Sequence, residues 1–131
     1  MPKSRIKAIA IDDEQHCLDT LVWELGRFCP EVEVIHCIKE EKEAKKIIPN
    51  AEVDLLFMDI HLQTCSGIEL IRNMQPLDCH IIFITAYDQY AIEAFKVAAV
   101  DYLLKPVSGE KLKMALERYI NRKNSIDQSN S

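Results

Sequence analysis

Three features are missing from this chain of 131 residues. No apolar stretch approaches the roughly 20 residues of a membrane-spanning helix, and the opening Met-Pro-Lys-Ser-Arg leads into a short strand and then acids instead of a cleavable apolar segment. Basic residues are neither in excess nor clustered: 16 Lys and Arg stand against 21 Asp and Glu, for a formal net charge of -5 and a pI near 5.4. A nucleic-acid surface needs clustered cations to displace counterions from phosphates, so the expected partners are proteins or small ligands. The five cysteines, Cys17, Cys29, Cys37, Cys65 and Cys79, are odd in number and hold no C-x-x-C pair. Their spacing suggests neither a disulfide framework nor a zinc site, and they are expected to be reduced and mostly in the core. These absences together point to the cytoplasm.

What remains is one domain's length of chain with 48% hydrophobic residues, enough for a core. The chain is organised around Leu55 to Asp59. Four consecutive apolar side chains leave no polar face, as in a strand of a parallel sheet covered on both sides, and a charged Asp59 follows at once. Ile6 to Ile11 has the same design and ends in Asp12, Asp13 and Glu14. His80 to Thr85 is a third such strand, ending in Thr85. Val32 to Ile38 and Val100 to Leu104 complete five strands, the last closed by Lys105-Pro106.

Between the strands, apolar residues recur at helical spacing. Leu18, Leu21, Val22, Leu25 and Phe28 form the first stripe, with Gly26 and Pro30 as stop signals, and Lys39 to Ile48 is a surface helix. Gly67 opens a helix through Ile68, Ile71 and Met74 that Pro76 ends. Asp88 is a candidate cap for a weakly patterned helix from Gln89 to about Lys96. Ser108 is one for a last helix with Leu112, Ala115, Leu116, Tyr119 and Ile120 in one stripe. From about Asn121 the composition is polar, as in a tail or linker. Five alternations of strand and helix predict an α/β fold, a doubly wound parallel sheet with helices on both faces.

In such a sheet the carboxyl ends of the central strands share one edge, where ligands bind, and that edge gathers Asp12, Asp13, Asp59, Thr85 and Lys105. Neighbouring strands lie roughly 4.8 Å apart. Two carboxylates at about 5 Å repel by roughly 3 kcal/mol at an effective dielectric of 20. A hard divalent cation offsets this best, and Mg²⁺ in particular binds one or two carboxylates together with waters and a substrate phosphate. Carboxylates, cation, the Lys105 ammonium and the Thr85 hydroxyl make a site for phosphoryl transfer with Asp59 as the candidate nucleophile.

Four segments in this order, Ile-Asp-Asp-Glu (11 to 14), Phe-Met-Asp-Ile (57 to 60) with Gly67 downstream, Ile-Thr-Ala (84 to 86) and Asp-Tyr-Leu-Leu-Lys-Pro (101 to 106), resemble the receiver domain of two-component response regulators. The likeness runs from Ile6 to about Ile120. The forms Ala-Val-Asp-Tyr-Leu-Leu-Lys-Pro and Gly-Ile-Glu-Leu look like the LytTR class, whose members usually carry a DNA-binding domain after the receiver. The resemblance implies a flavodoxin-like sheet of order 2-1-3-4-5, a receiver over residues 1–121 and a polar tail or linker start over 122–131. It implies that Asp59 accepts a phosphoryl group from a sensor histidine kinase and that Asp13, Asp59 and the backbone carbonyl of His61 bind Mg²⁺ directly, with Asp12 acting mainly through water. By the same resemblance Lys105 pairs with the phosphoryl oxygens, Thr85 donates to one of them, Tyr102 is the aromatic that turns inward when Thr85 moves, and the Lys105-Pro106 bond is cis. The expected partners are the kinase and, after phosphorylation, a second copy of the chain, with no nucleic acid or membrane bound by this domain and no enzymatic turnover beyond Asp59 itself.

Two positions depart from the common pattern: Gln63 stands where many receivers have Pro, and position 61 is His, whose imidazole could lie near the phosphoryl group. Taken one at a time, the site residues have plainer readings. Asp12 and Asp13 could cap a helix, Thr85 could bond to backbone, Tyr102 could be packing, and Cys65 could be an ordinary loop thiol. Two rival functions are a phosphatase with an aspartyl-phosphate intermediate, which would want an Asp at position 61, and an interaction module that ignores phosphorylation. A stand-alone receiver acting by protein contacts is the alternative to a DNA-binding regulator.

Overall fold

The computed structural model describes residues 5–129, with side chains as far as 125. Five strands, β1 (Ile6–Ile11), β2 (Val32–Ile38), β3 (Leu55–Met58), β4 (His80–Thr85) and β5 (Asp101–Leu104), form one sheet in the order β2-β1-β3-β4-β5, every pairing parallel. The helices are α1 (Gln15–Phe28), α2 (Glu41–Ile47), α3 (Gly67–Met74), α4 (Ala91–Lys96) and α5 (Gly109–Ser129), with a 3₁₀ turn at Ile48–Asn50. This is the doubly wound parallel sheet that the alternation predicts, in the flavodoxin-like order that the resemblance implied.

The alternation of side chains along each strand divides the core in two. Ala8, Ala10, Leu55, Phe57, Ile82 and Ile84 point to the face covered by α1 and α5. Ile9, Ile11, Leu56, Met58, Ile81 and Phe83 point to the face covered by α2, α3 and α4. Each fully buried Leu, Ile or Phe contributes about 1.5–3 kcal/mol, which explains why the four residues of β3, buried on both faces, tolerate no polar side chain. No helix among the described residues is long and apolar enough to cross a membrane.

Several local expectations change. Gly26 lies inside α1 instead of ending it, and only Leu18, Leu21 and Leu25 of the predicted stripe are buried, while Val22 and Phe28 are exposed. Asp88 does not cap α4, whose N-cap residue is Tyr90 and which has no side-chain cap at all. Ser108 does accept from the backbone N–H of Lys111, at 3.3 Å. The last helix does not stop where its apolar stripe stops. Ile120 is exposed, and α5 continues to Ser129 through the mainly polar stretch read as a tail or linker. Asn130 and Ser131 lie outside the described residues. The cysteines are not mostly core: Cys29 is buried, Cys37 exposed and the other three half-buried, and all five are free. His80 is half-buried with its ring 5.4 Å from that of Tyr119, whereas His16 and His36 are exposed.

Candidate functional site

Strand register brings the site together. Ile11 pairs with Met58 and the Asp59 N–H donates to the Ile11 carbonyl at 3.0 Å, so Asp12 and Asp59 leave adjacent strands side by side. On the other side Thr85 pairs with Leu104, and the Lys105 N–H donates to the Thr85 carbonyl at 2.8 Å. Lys105 Nζ then lies 2.8 Å from Asp12 Oδ2 and 2.9 Å from Asp59 Oδ2. The Lys105-Pro106 bond is cis, as the resemblance implied, and so is Gln75-Pro76.

Asp12, Asp59 and Thr85 are the buried polar residues of the described chain, in a core otherwise made of apolar side chains. Such groups are costly to bury without partners. The Asp12 carboxylate has Lys105 and the Glu14 N–H, at 3.0 Å, and Asp59 has Lys105 and the His61 N–H, at 3.2 Å. Thr85 Oγ1 has no partner. A buried hydroxyl left unpaired in an otherwise satisfied site points to a ligand acceptor.

Electrostatics agrees with the geometry. Burial raises the Asp12 carboxyl above its ordinary range, and the neighbouring Asp59 charge adds to this, while the Lys105 ammonium opposes both. Burial works against the charge of Lys105, but its bonds to Asp12 and Asp59 outweigh that and hold its pKa above the ordinary lysine value. One carboxylate oxygen each from Asp12, Asp13 and Asp59 lies within 4.8 Å of the other two. One lysine cannot balance three carboxylates, and a compact set of hard oxygen donors suits a small hard cation such as Mg²⁺.

The loop after Asp59 is held by close backbone contact. Gly67 donates to the Ile60 carbonyl at 2.6 Å, and a Cβ at Gly67 would stand 2.2 Å from the Asp59 carbonyl oxygen. Only glycine allows that approach. Ser66 caps α3 by accepting from the Ile68 N–H at 3.2 Å. His61 turns its ring toward two tyrosines, 4.3 Å from Tyr87 and 5.1 Å from Tyr90 between centroids. The Tyr102 hydroxyl donates to the backbone carbonyl of Tyr87, two residues beyond Thr85. Gln63 and Cys65 lie on the same loop, exposed and half-buried.

The structure thus gathers Asp12, Asp13, Asp59 and Lys105 directly, puts Thr85 at the end of β4 beside the end of β5 where Lys105 follows, and links Tyr102 to the loop after Thr85. Sequence reasoning missed Cys17, whose Sγ lies 3.4 Å from Lys105 Nζ. It also missed a cleft of about 410 Å³ that opens from Asp12 and Lys105 along Leu18, Leu21 and Val107. Tyr87 and Tyr90 were likewise missed, because a ring contact across two loops leaves no periodic trace.

Known proteins bear on this site in two ways. Among solved structures, the response regulatory domain of protein mrkE from Klebsiella pneumoniae superposes with a TM-score of 0.80 at 27% identity, covering 91% of this chain and 98% of that one. A response regulator receiver domain protein from Clostridium thermocellum gives 0.78 at 28% identity, over 92% and 98%. Among curated sequences, an uncharacterized response regulatory protein of Vibrio cholerae is 38% identical over 95% of this chain and 52% of its own length. The sensory transduction protein LytT of Bacillus cereus is 35% identical over 92% and 49%. The chain therefore spans about half the length of the curated relatives it matches. Residues 8–117 match the response regulator receiver domain, and the chain belongs to that family, the receiver domains of two-component response regulators.

Proposed function

We propose that Asp59 is the phosphoacceptor, taking its phosphoryl group from a phosphohistidine on a sensor histidine kinase. An Asp59 oxygen forms the new bond to phosphorus and the phosphorus–nitrogen bond breaks. The departing imidazole keeps that electron pair, and an acyl phosphate remains on Asp59. The observation that carries the reading is Lys105 Nζ bridging Asp12 and Asp59 at 2.8 and 2.9 Å in an otherwise apolar core. The ammonium is already where the phosphoryl oxygens would arrive, so it pairs with them at little cost in reorganisation.

Asp12, Asp13 and Asp59, with the backbone carbonyl of His61, would hold Mg²⁺. When bound, the ion supplies neutralising charge for the crowded carboxylate and phosphoryl oxygens. Thr85, whose hydroxyl lacks a partner, donates to a phosphoryl oxygen once Asp59 is modified. That contact draws in the loop after Thr85, and Tyr102 follows through its bond to the Tyr87 carbonyl. The ligand shifts an existing equilibrium by binding one state better. The output face is the α4, β5 and α5 side, where Ile92, Phe95, Leu104 and Met114 are exposed, and it pairs with a second copy after phosphorylation. In a longer LytTR-type regulator acting in the cytoplasm, this dimer would present a DNA-binding domain. A stand-alone receiver would use the same face for another protein.

Intact mass after incubation with acetyl phosphate and Mg²⁺ tests the reading. The parent should gain one phosphoryl unit and Asp59→Asn none, with no turnover of phosphate monoesters. Sedimentation should show a heavier species with beryllofluoride and Mg²⁺. A folded parent whose mass never rises would overturn the assignment.

A further inference from the structure

Beside the acceptor pocket, at the start of α1, lies a second group of metal-type donors that neither the fold nor the phosphoryl site requires. Glu14 Oε2 is 3.1 Å from His16 Nε2, and Cys17 Sγ is 3.6 Å from each of them. A thiol, an imidazole and a carboxylate, the three usual ligand types of zinc, therefore form a closed triangle. With Zn–S near 2.3 Å and Zn–N and Zn–O near 2.0–2.1 Å, tetrahedral angles place sulfur about 3.5 Å from each lighter donor and those two about 3.3 Å apart. The observed spacings match all three edges.

We infer that Glu14, His16 and Cys17 form a binding site for a borderline divalent transition ion of the Zn²⁺ class, distinct from the all-oxygen Mg²⁺ site. Local backbone explains how three residues so close in sequence converge. Glu14 is the N-cap of α1 in extended conformation, φ -102° and ψ 119°, and its side chain makes no cap bond, so it folds back over the first turn, which carries His16 and Cys17. The donor chemistry separates the two sites: sulfur and imidazole prefer Zn²⁺, whereas carboxylates alone suit Mg²⁺. Paired cysteines, the sign of a structural zinc site, are absent. This is a three-ligand site whose fourth position faces solvent, since the Glu14 and His16 side chains are 57% and 79% exposed. The positive end of α1 works against a cation here, and the carboxylate and thiolate outweigh it. Binding displaces the Cys17 thiol proton to solvent. Because Cys17 Sγ also lies 3.4 Å from Lys105 Nζ, an ion held on that sulfur adds positive charge directly beside the acceptor lysine.

The test is titration of the reduced chain with Co²⁺ as a spectroscopic stand-in for Zn²⁺, in excess Mg²⁺ so that the carboxylate cluster is occupied. The expected result is one equivalent bound with a thiolate-to-cobalt charge-transfer band and tetrahedral visible bands, bleached by Zn²⁺. Cys17→Ser should abolish the charge-transfer band. His16→Gln should weaken binding by at least about tenfold, the least that even an outer-shell partner is worth. Asp13→Asn, which alters only the Mg²⁺ cluster, should leave the band in place, so failure of this site and failure of the phosphoacceptor reading are told apart. Circular dichroism establishes that each variant is folded. Absence of a charge-transfer band in the parent, or its persistence in Cys17→Ser on one of the other free thiols, would overturn the inference.

Discussion

Helices α3 and α4 follow adjacent central strands and cover the same face of the sheet, yet they are held very differently. Of the eight residues in α3, Gly67, Ile68, Leu70 and Ile71 are buried, and Ser66 caps its start. Of the six in α4, only Ala94 is buried, no side chain caps it, and it is followed by Ala98 at φ 62°, a left-handed conformation that favours glycine. Ile92 and Phe95 are 75% and 59% exposed. The anchored helix backs the loop that follows Asp59, and the loosely held one follows Thr85. Low local stability is where moving elements are drawn from. On the function proposed above, this division lets the site keep its geometry while the far side responds.

The contrast is most easily broken by truncation. Ile71→Ala should cost about 2–5 kcal/mol in denaturant unfolding, as for other buried Ile positions, whereas Phe95→Ala should change stability by no more than about 0.5 kcal/mol. Equal losses would erase the distinction. Next in size, Gly67→Ala forces a methyl group against the Asp59 carbonyl, a rigid backbone neighbour. It should cost about 1–3 kcal/mol and reduce phosphorylation by acetyl phosphate, because the acceptor's own backbone must shift. The smallest effect runs the other way. Ala98→Gly relieves the left-handed strain after α4 and should raise stability by roughly 1 kcal/mol, read as a higher denaturant midpoint with an unchanged slope.

Much of this arrangement was legible in the residues. Leu55 to Met58 announces a two-sided strand because every neighbour in the fold is apolar, and the acids that end β1 and β3 stand at the site because parallel strands share one carboxyl edge. The looseness of α4 was visible as weak patterning. What was not legible depends on contacts between segments distant in sequence or on geometry without periodicity. Gly26 is tolerated inside α1 because helix packing elsewhere decides, and nothing in the sequence distinguishes it from a stop. The polar end of the chain carries no apolar stripe, so its helical continuation to Ser129 had no signal. The half-buried cysteines follow from where α1 and the loops turn, and the closeness of Cys17 to Lys105 needs a contact across 88 residues. The contact of the His61 ring with Tyr87 and Tyr90 also joins residues of two separate loops and had no signal in the sequence.

The central claim is that modification of Asp59 is passed through Thr85 to the loosely held side of the sheet. Amide hydrogen exchange with and without beryllofluoride and Mg²⁺ tests it most directly. Protection should rise from Thr85 through Leu104, including α4, while Gly67–Met74 changes little, and Thr85→Ala should blunt the response. Unchanged exchange in α4, or a response confined to α3, would contradict it.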